Sequence, residues 1–374
     1  MRKLSSFWMR GILIFSFLAI TPVLSPTSAV AAATTKAWEL EWDKVVKEAK
    51  NEGTLVIYAA DMNPAVREAL TLALRDKFGL KLETITGRGQ EIIAKMEAER
   101  RAGLYMADLY LGGTGAIQSI LKPAGHLAPL EPMLFLPEVL NEKAWVGGRL
   151  SWVDDDRYNL AFLAIPKVPV SYNKEFIKPG DVKSWQEFLN PKWKGRIIFN
   201  DPSLTGSGAA VFMALAKGIM DLDYLQQLAK QDLVITRDQR QQAEWLVRGK
   251  YPIGIGLEDA VMMQFKKAGA PIGFAIPREG SYMTCGTGSF SLLTRYPHPN
   301  AAKLFINWLL TKEGQTIFAR AHGNPSARLD VPTDFLPPEA ARQPDVKYLD
   351  TVSAEYAAQR SKYAKMAKEI FGLK

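Results

Sequence analysis

The run Thr54-Leu55-Val56-Ile57-Tyr58-Ala59-Ala60 is apolar throughout and of strand length. An unbroken apolar run of this kind marks a strand buried on both faces. Upstream, Trp42, Val45, Val46 and Ala49 recur at helical spacing, and Gly53 stops that helix. Downstream, Asn63-Pro64 opens a helix through Phe78, Gly79 ends it, and residues 80–85 form a second strand. Gly87-Arg88-Gly89 turns the chain into a helix over residues 90–102. A third strand, residues 107–111, runs into Gly112-Gly113-Thr114-Gly115 and another helix. Strands alternating with helices of this length predict an α/β domain whose parallel sheet is covered on both faces.

The pattern weakens over residues 123–160, which are richer in Pro and Gly. Residues 166–172 (PKVPVSY) are extended, because two prolines forbid a helix there. It then resumes, with strands at 196–200 and 252–257 and helices at 206–216, 222–230 and 239–247, so a second, smaller α/β unit sits inside the chain. A strand-like segment at 285–294 and two helices at 300–310 and 313–321 follow. The tail, residues 346–371, is charged and amphipathic and is expected to pack along the outside of a lobe.

The 374 residues are enough for two or three domains, and 47% apolar with 23% charged residues is the composition of a packed globular protein. One cysteine, Cys285, excludes an internal disulfide and a thiolate cluster. The three histidines, His126, His298 and His322, are far apart and form no metal-binding pair along a helix. Residues 1–33 are expected to be a secretory signal: a basic start (Arg2, Lys3, Arg10), an apolar stretch over 11–20 and small residues at 28–33. Without those three bases the charge falls from +8 to +5, with 44 basic residues against 39 acidic. The bases are dispersed, which suits small anions and gives no support to nucleic-acid binding. Export without disulfides points to a bacterial envelope compartment, the periplasm.

Pro191-Lys192-Trp193-Lys194-Gly195-Arg196-Ile197, then Asp201-Pro202 and Ser207-Gly208, resemble the ferric-ion and polyamine branch of bacterial solute-binding proteins. The likeness continues at residues 170–173 (VSYN), 298–302 (HPNAA), 314–315 (GQ) and 326–331 (SARLDV). It implies the type II periplasmic binding fold: two Rossmann-like α/β lobes joined by two crossover strands, a ligand cleft between them, and delivery of the solute to an ABC permease. The implied first lobe is residues 34–168 with 277–374 and the second is 169–276, with crossings near 168–172 and 273–277. The protein is then a monomer with a small-molecule ligand and no cofactor. Ferric-binding members carry adjacent tyrosines just after the strand corresponding to residues 252–257. This chain has Glu258, Asp259 and Ala260 there, a set that speaks against a bare ferric ion; the alternative to an anion is a cation, a polyamine or a metal, held by Glu258 and Asp259.

Ligands of open α/β sheets sit at the carboxyl ends of strands, where loops lead into helix starts whose free N–H groups attract anions. The candidate contacts on those loops are Asp61, Arg88, Gly113, Thr114, Ser203, Thr205, Ser207, Gly208, Glu258 and Asp259, with Tyr172 as a ligand wall on the crossing strand. Arg88 supplies a formal positive charge, and the glycines allow close approach to the backbone. The same turns also serve as ordinary strand-to-helix connections, with Ser203 or Ser207 as a cap, and Tyr172 also fits a packed hinge. A secreted enzyme is the alternative from another class, but no Gly-x-Ser-x-Gly elbow, triad pattern, dinucleotide fingerprint or P-loop occurs, so nothing in the sequence points to one.

Overall fold

The computed structural model describes residues 26–204 and 206–373, with side chains from Lys36 onward apart from that of Glu339. The first 25 residues of the expected signal and Thr205 lie outside the described residues. A helix, Pro26–Glu52, leads into the Thr54–Ala60 strand. The next helix, Pro64–Phe78, starts where the sequence directs: Asn63 Oδ1 accepts from Val66 N at 2.8 Å, and Pro64 occupies a position that needs no N–H donor. Its Val66, Leu70, Leu74 and Phe78 form one buried stripe.

Three sheets are present among the described residues. The first runs in the order Lys81–Gly87, Thr54–Ala60, Leu109–Gly112, Ser289–Leu293, Asn159–Ala161, Ser151–Trp152, with Leu127–Ala128 also on Ser289–Leu293. Its first three strands are parallel, as the alternation predicts; Ser289–Leu293 returns antiparallel against Leu109–Gly112. The second sheet runs Val234–Thr236, Ile197–Asn200, Ile253–Ile255, Val170–Asn173, Ile272–Ala275. Here Val170–Asn173 is antiparallel to both neighbours.

The third, small sheet joins the lobes. Ile165–Pro166 and Ser281–Thr284 pair antiparallel, and Tyr348–Asp350 adds in parallel to the latter. The crossings therefore lie a few residues outside the expected 168–172 and 273–277. Those segments belong to the second sheet, where Gly273 faces Tyr172. Each lobe has its own core, one including Trp145, Phe290 and Trp308 and the other Trp185, Phe199 and Phe212. The helix Arg360–Phe371, expected with the first lobe, packs on the second: Phe371 meets Phe199 and Phe212 edge-on at 5.7 and 5.9 Å. Its apolar residues, Tyr363, Met366, Ala367 and Ile370, complete that core. The tail thus runs from the joining sheet onto the far lobe.

Candidate ligand-binding site

The carboxyl ends of the central strands of both sheets open beside the Ser281–Thr284 strand. Three cavities of about 310, 200 and 230 Å³ lie there and share Thr284 in their walls. The first is bounded by Ser203, Gly206, Tyr356 and Arg360; the second by Lys167, Ser207, Glu258, Asp259 and Tyr282; the third by Gly113, Thr114, Cys285 and, again, Arg360. Loops of the first lobe, loops of the second, the joining strand and the C-terminal tail thus line one row of cavities.

Of the residues singled out in the sequence, Gly113, Thr114, Ser203, Ser207, Glu258 and Asp259 line this row. Ser207 begins the helix Ser207–Ala214, and its Oγ donates to Gly256 O at 2.7 Å, so its proton is already committed. Ser203 N and Oγ both donate to Asp201 Oδ1, at 2.9 and 2.6 Å, a turn that holds the loop. Lys167 Nζ and Asp259 Oδ2 form an ion pair, which takes up one of the two carboxylates in this wall; Glu258 beside it has no ion pair among the described residues.

Four candidates sit elsewhere. Gly208 is buried and packs helix to strand: its N donates to Asn200 Oδ1 at 3.2 Å, and a Cβ there would lie 2.1 Å from Asn200 O. Tyr172 is 7% exposed and belongs to the second core, its ring over Gly273, where a Cβ would come within 2.2 Å. Asp61 is exposed at φ 53°, its N donating to Gly87 O at 3.0 Å. Arg88 caps the Gly89–Arg101 helix from its backbone, N to Glu91 Oε2 at 3.3 Å, and is exposed two strands from Gly112, outside the three cavities.

Sequence reasoning missed Arg360, Lys167 and Thr284. Arg360 is exposed, and its guanidinium has neither an ion pair nor a hydrogen bond among the described residues. Nothing local marks it among 47 basic residues, because it reaches the cleft only through the packing of the tail helix. Tyr356, in the same wall, holds its Oη buried without a hydrogen-bond partner among the described residues.

Several motifs that carry the family likeness are structural. Arg328, 2% exposed, gives Nε and Nη2 to Asp330 at 2.9 and 2.8 Å and Nη1 to Leu310 O at 3.0 Å. Asn173 Nδ2 ties down the end of the Gln239–Val247 helix through Leu246 O and Val247 O, at 3.1 and 2.8 Å. Burial pushes the Cys285 thiol up to about 12, too high for a nucleophile at neutral pH, and no histidine lines the three cavities. Among the described residues no group of three His, Cys, Asp or Glu side chains is placed to hold a metal ion.

Residues 54–323 match the family described as "Bacterial extracellular solute-binding protein". An uncharacterized protein of Haemophilus influenzae is 27% identical over 284 residues, 72% of this chain and 76% of that one. Two solved structures share the fold. Trichodesmium IdiA/FutA, in complex with iron and citrate, has a TM-score of 0.62 at 18% identity, covering 86% of this chain and 100% of the other. AfuA of Actinobacillus pleuropneumoniae, with fructose-6-phosphate bound, has a TM-score of 0.53 at 22% identity, covering 86% and 99%. The chain therefore belongs to the bacterial extracellular solute-binding proteins and has their two-lobed type II periplasmic binding fold.

Proposed function

We propose that this solute-binding protein is the periplasmic receptor of an ABC importer and that its ligand is a small organic anion bearing a carboxylate or phosphate. The observation that carries the anion reading is Arg360, an unpaired guanidinium in the walls of two of the three cavities. The helix starts at Thr114 and Ser207 face the same cleft from opposite lobes. The solved relatives bind chemically different solutes, iron with citrate in one and fructose-6-phosphate in the other, so the choice among solutes rests on this chain's own side chains.

The magnitudes set the mechanism. A charged hydrogen-bonded pair contributes about 1.5–3 kcal/mol and a helix terminus about 0.3–1, rising to about 2 when partly buried. Micromolar affinity needs roughly 8 kcal/mol. One arginine and two helix starts approach this only when the lobes close and exclude water. The ligand then stabilises the closed form by bridging the lobes, and that form is what the permease reads. No step transforms the ligand; the receptor captures, encloses and releases it.

The test is mass spectrometry of the solute that co-purifies with the natively exported protein, followed by calorimetric titration of that compound. A carboxylate or phosphate compound is the expected result. A polyamine or a metal ion without an organic anion overturns the anion reading. Turnover of the bound compound overturns the receptor reading.

A further inference from the structure

At the end of the first lobe opposite the cleft lies a further cavity, of about 340 Å³. Its position follows from the sheet: Leu293 N donates to Asp108 O at 3.0 Å, so Thr294 and Arg295 emerge where the Leu109–Gly112 strand begins, whereas the cleft lies where that strand ends. Two arginines in its wall converge on one ring. The guanidinium carbons of Arg100 and Arg295 lie 5.3 and 4.7 Å from the centroid of Tyr105, and are therefore at most about 10 Å apart.

Neither guanidinium has an ion pair among the described residues. Arg100 donates to Thr294 Oγ1 at 2.7 Å and Thr294 O at 3.2 Å, and Arg295 to Tyr105 Oη at 2.9 Å, all uncharged acceptors. The one acid in the wall, Glu97, is held by His126 Nε2 at 2.7 Å, with Arg101 3.9 Å away on its other side. Arg295 also adopts φ 57°, a backbone conformation unusual for a residue with a side chain. Glu97 attracts Arg100, yet three arginines share this wall with that single acid; the excess like charge repels, and an oxyanion between the guanidiniums removes that cost while accepting several charged hydrogen bonds.

We propose that this cavity is a second anion site, separate from the solute cleft, that takes a phosphate group through Arg100, Arg101 and Arg295. Free phosphate and the phosphate of a lipid headgroup share this chemistry. Leu104 and Met106, flanking Tyr105, are 50% and 51% exposed, so the second source is tested as well.

Titrating the full chain with inorganic phosphate, followed by ³¹P NMR linewidth, should show saturable binding. In parallel, sedimentation with phosphatidylglycerol vesicles, and with phosphatidylcholine vesicles as the uncharged reference, tests the lipid source. R295N retains a residue that tolerates positive φ, and R101Q alters a side chain that is 72% exposed, so both variants should fold. Each should weaken binding of phosphate or of the anionic vesicles about tenfold. The dependence on Arg295 should persist in an R360A background, which keeps this result independent of the cleft. The proposal fails if neither probe binds saturably, if both variants bind as tightly as the parent, or if R360A alone abolishes binding.

Discussion

Lys167 and Asp259 form an ion pair across the cleft floor, joining the segment that enters the second lobe to the first residue of the Asp259–Lys267 helix. Both residues line the cavity that Ser207 lines, and the pair neutralises one of its two carboxylates, Glu258 being the other. A loop that reads in sequence as doubly acidic thus carries one compensated carboxylate and one, Glu258, without an ion pair among the described residues.

Breaking the pair from either side should have opposite consequences. Lys167→Met leaves the carboxylate facing the ligand and should weaken binding of the native solute about tenfold by calorimetry. Asp259→Asn frees the lysine and should leave affinity unchanged or higher. Loss of binding in D259N would instead identify a cation ligand.

Arg360→Ala should weaken solute binding at least tenfold, the equivalent of about 1.4 kcal/mol. Arg88→Ala should stay within about twofold, because Arg88 lies outside the three cavities. The reverse ranking in calorimetry would return the anchor to the first lobe's second strand.

Gly208→Ala places a methyl group 2.1 Å from Asn200 O, a backbone atom that cannot swing aside. The expected loss is about 1–3 kcal/mol or more, read as a lower thermal midpoint by calorimetry. An unchanged midpoint would mean that the helix start and the strand end are free to separate.

His322 should make stability fall with acid. Burial holds its pKa below the ordinary imidazole value; its ring stacks on Phe318 at 5.5 Å, and Nδ1 accepts from Asn324 Nδ2 at 3.0 Å. The folded protein therefore keeps the neutral ring while the unfolded chain takes up a proton. Stability is full above the unfolded pKa and declines as pH falls from about 7 to about 5, by at most about 1.4 kcal/mol per pH unit. Thermal midpoints over this range should fall less steeply in H322Q, which keeps an acceptor for Asn324.

The sequence by itself determined the local elements. The strand Thr54–Ala60 was legible because burial on both faces demands an unbroken apolar run, and the helix Pro64–Phe78 because Asn63, Pro64 and Gly79 each satisfy a terminal backbone requirement. The resemblance added the two-lobed plan. Yet several residues that carry it, Arg328 and Asn173 among them, hold the scaffold and line none of the three cleft cavities. Only the tertiary structure decided which charges reach the cleft. Arg88 looked like the anchor because it stands between two glycines, whereas Arg360 lay unmarked in a charged tail. The difference arises where the apolar side of the tail helix docks on Phe199 and Phe212, distant in the chain, and sets Arg360 into the cleft wall. Hydrophobic periodicity is encoded within a few turns of chain; whether a charge lines the cleft depends on which remote segments meet, and local spacing carries no record of that.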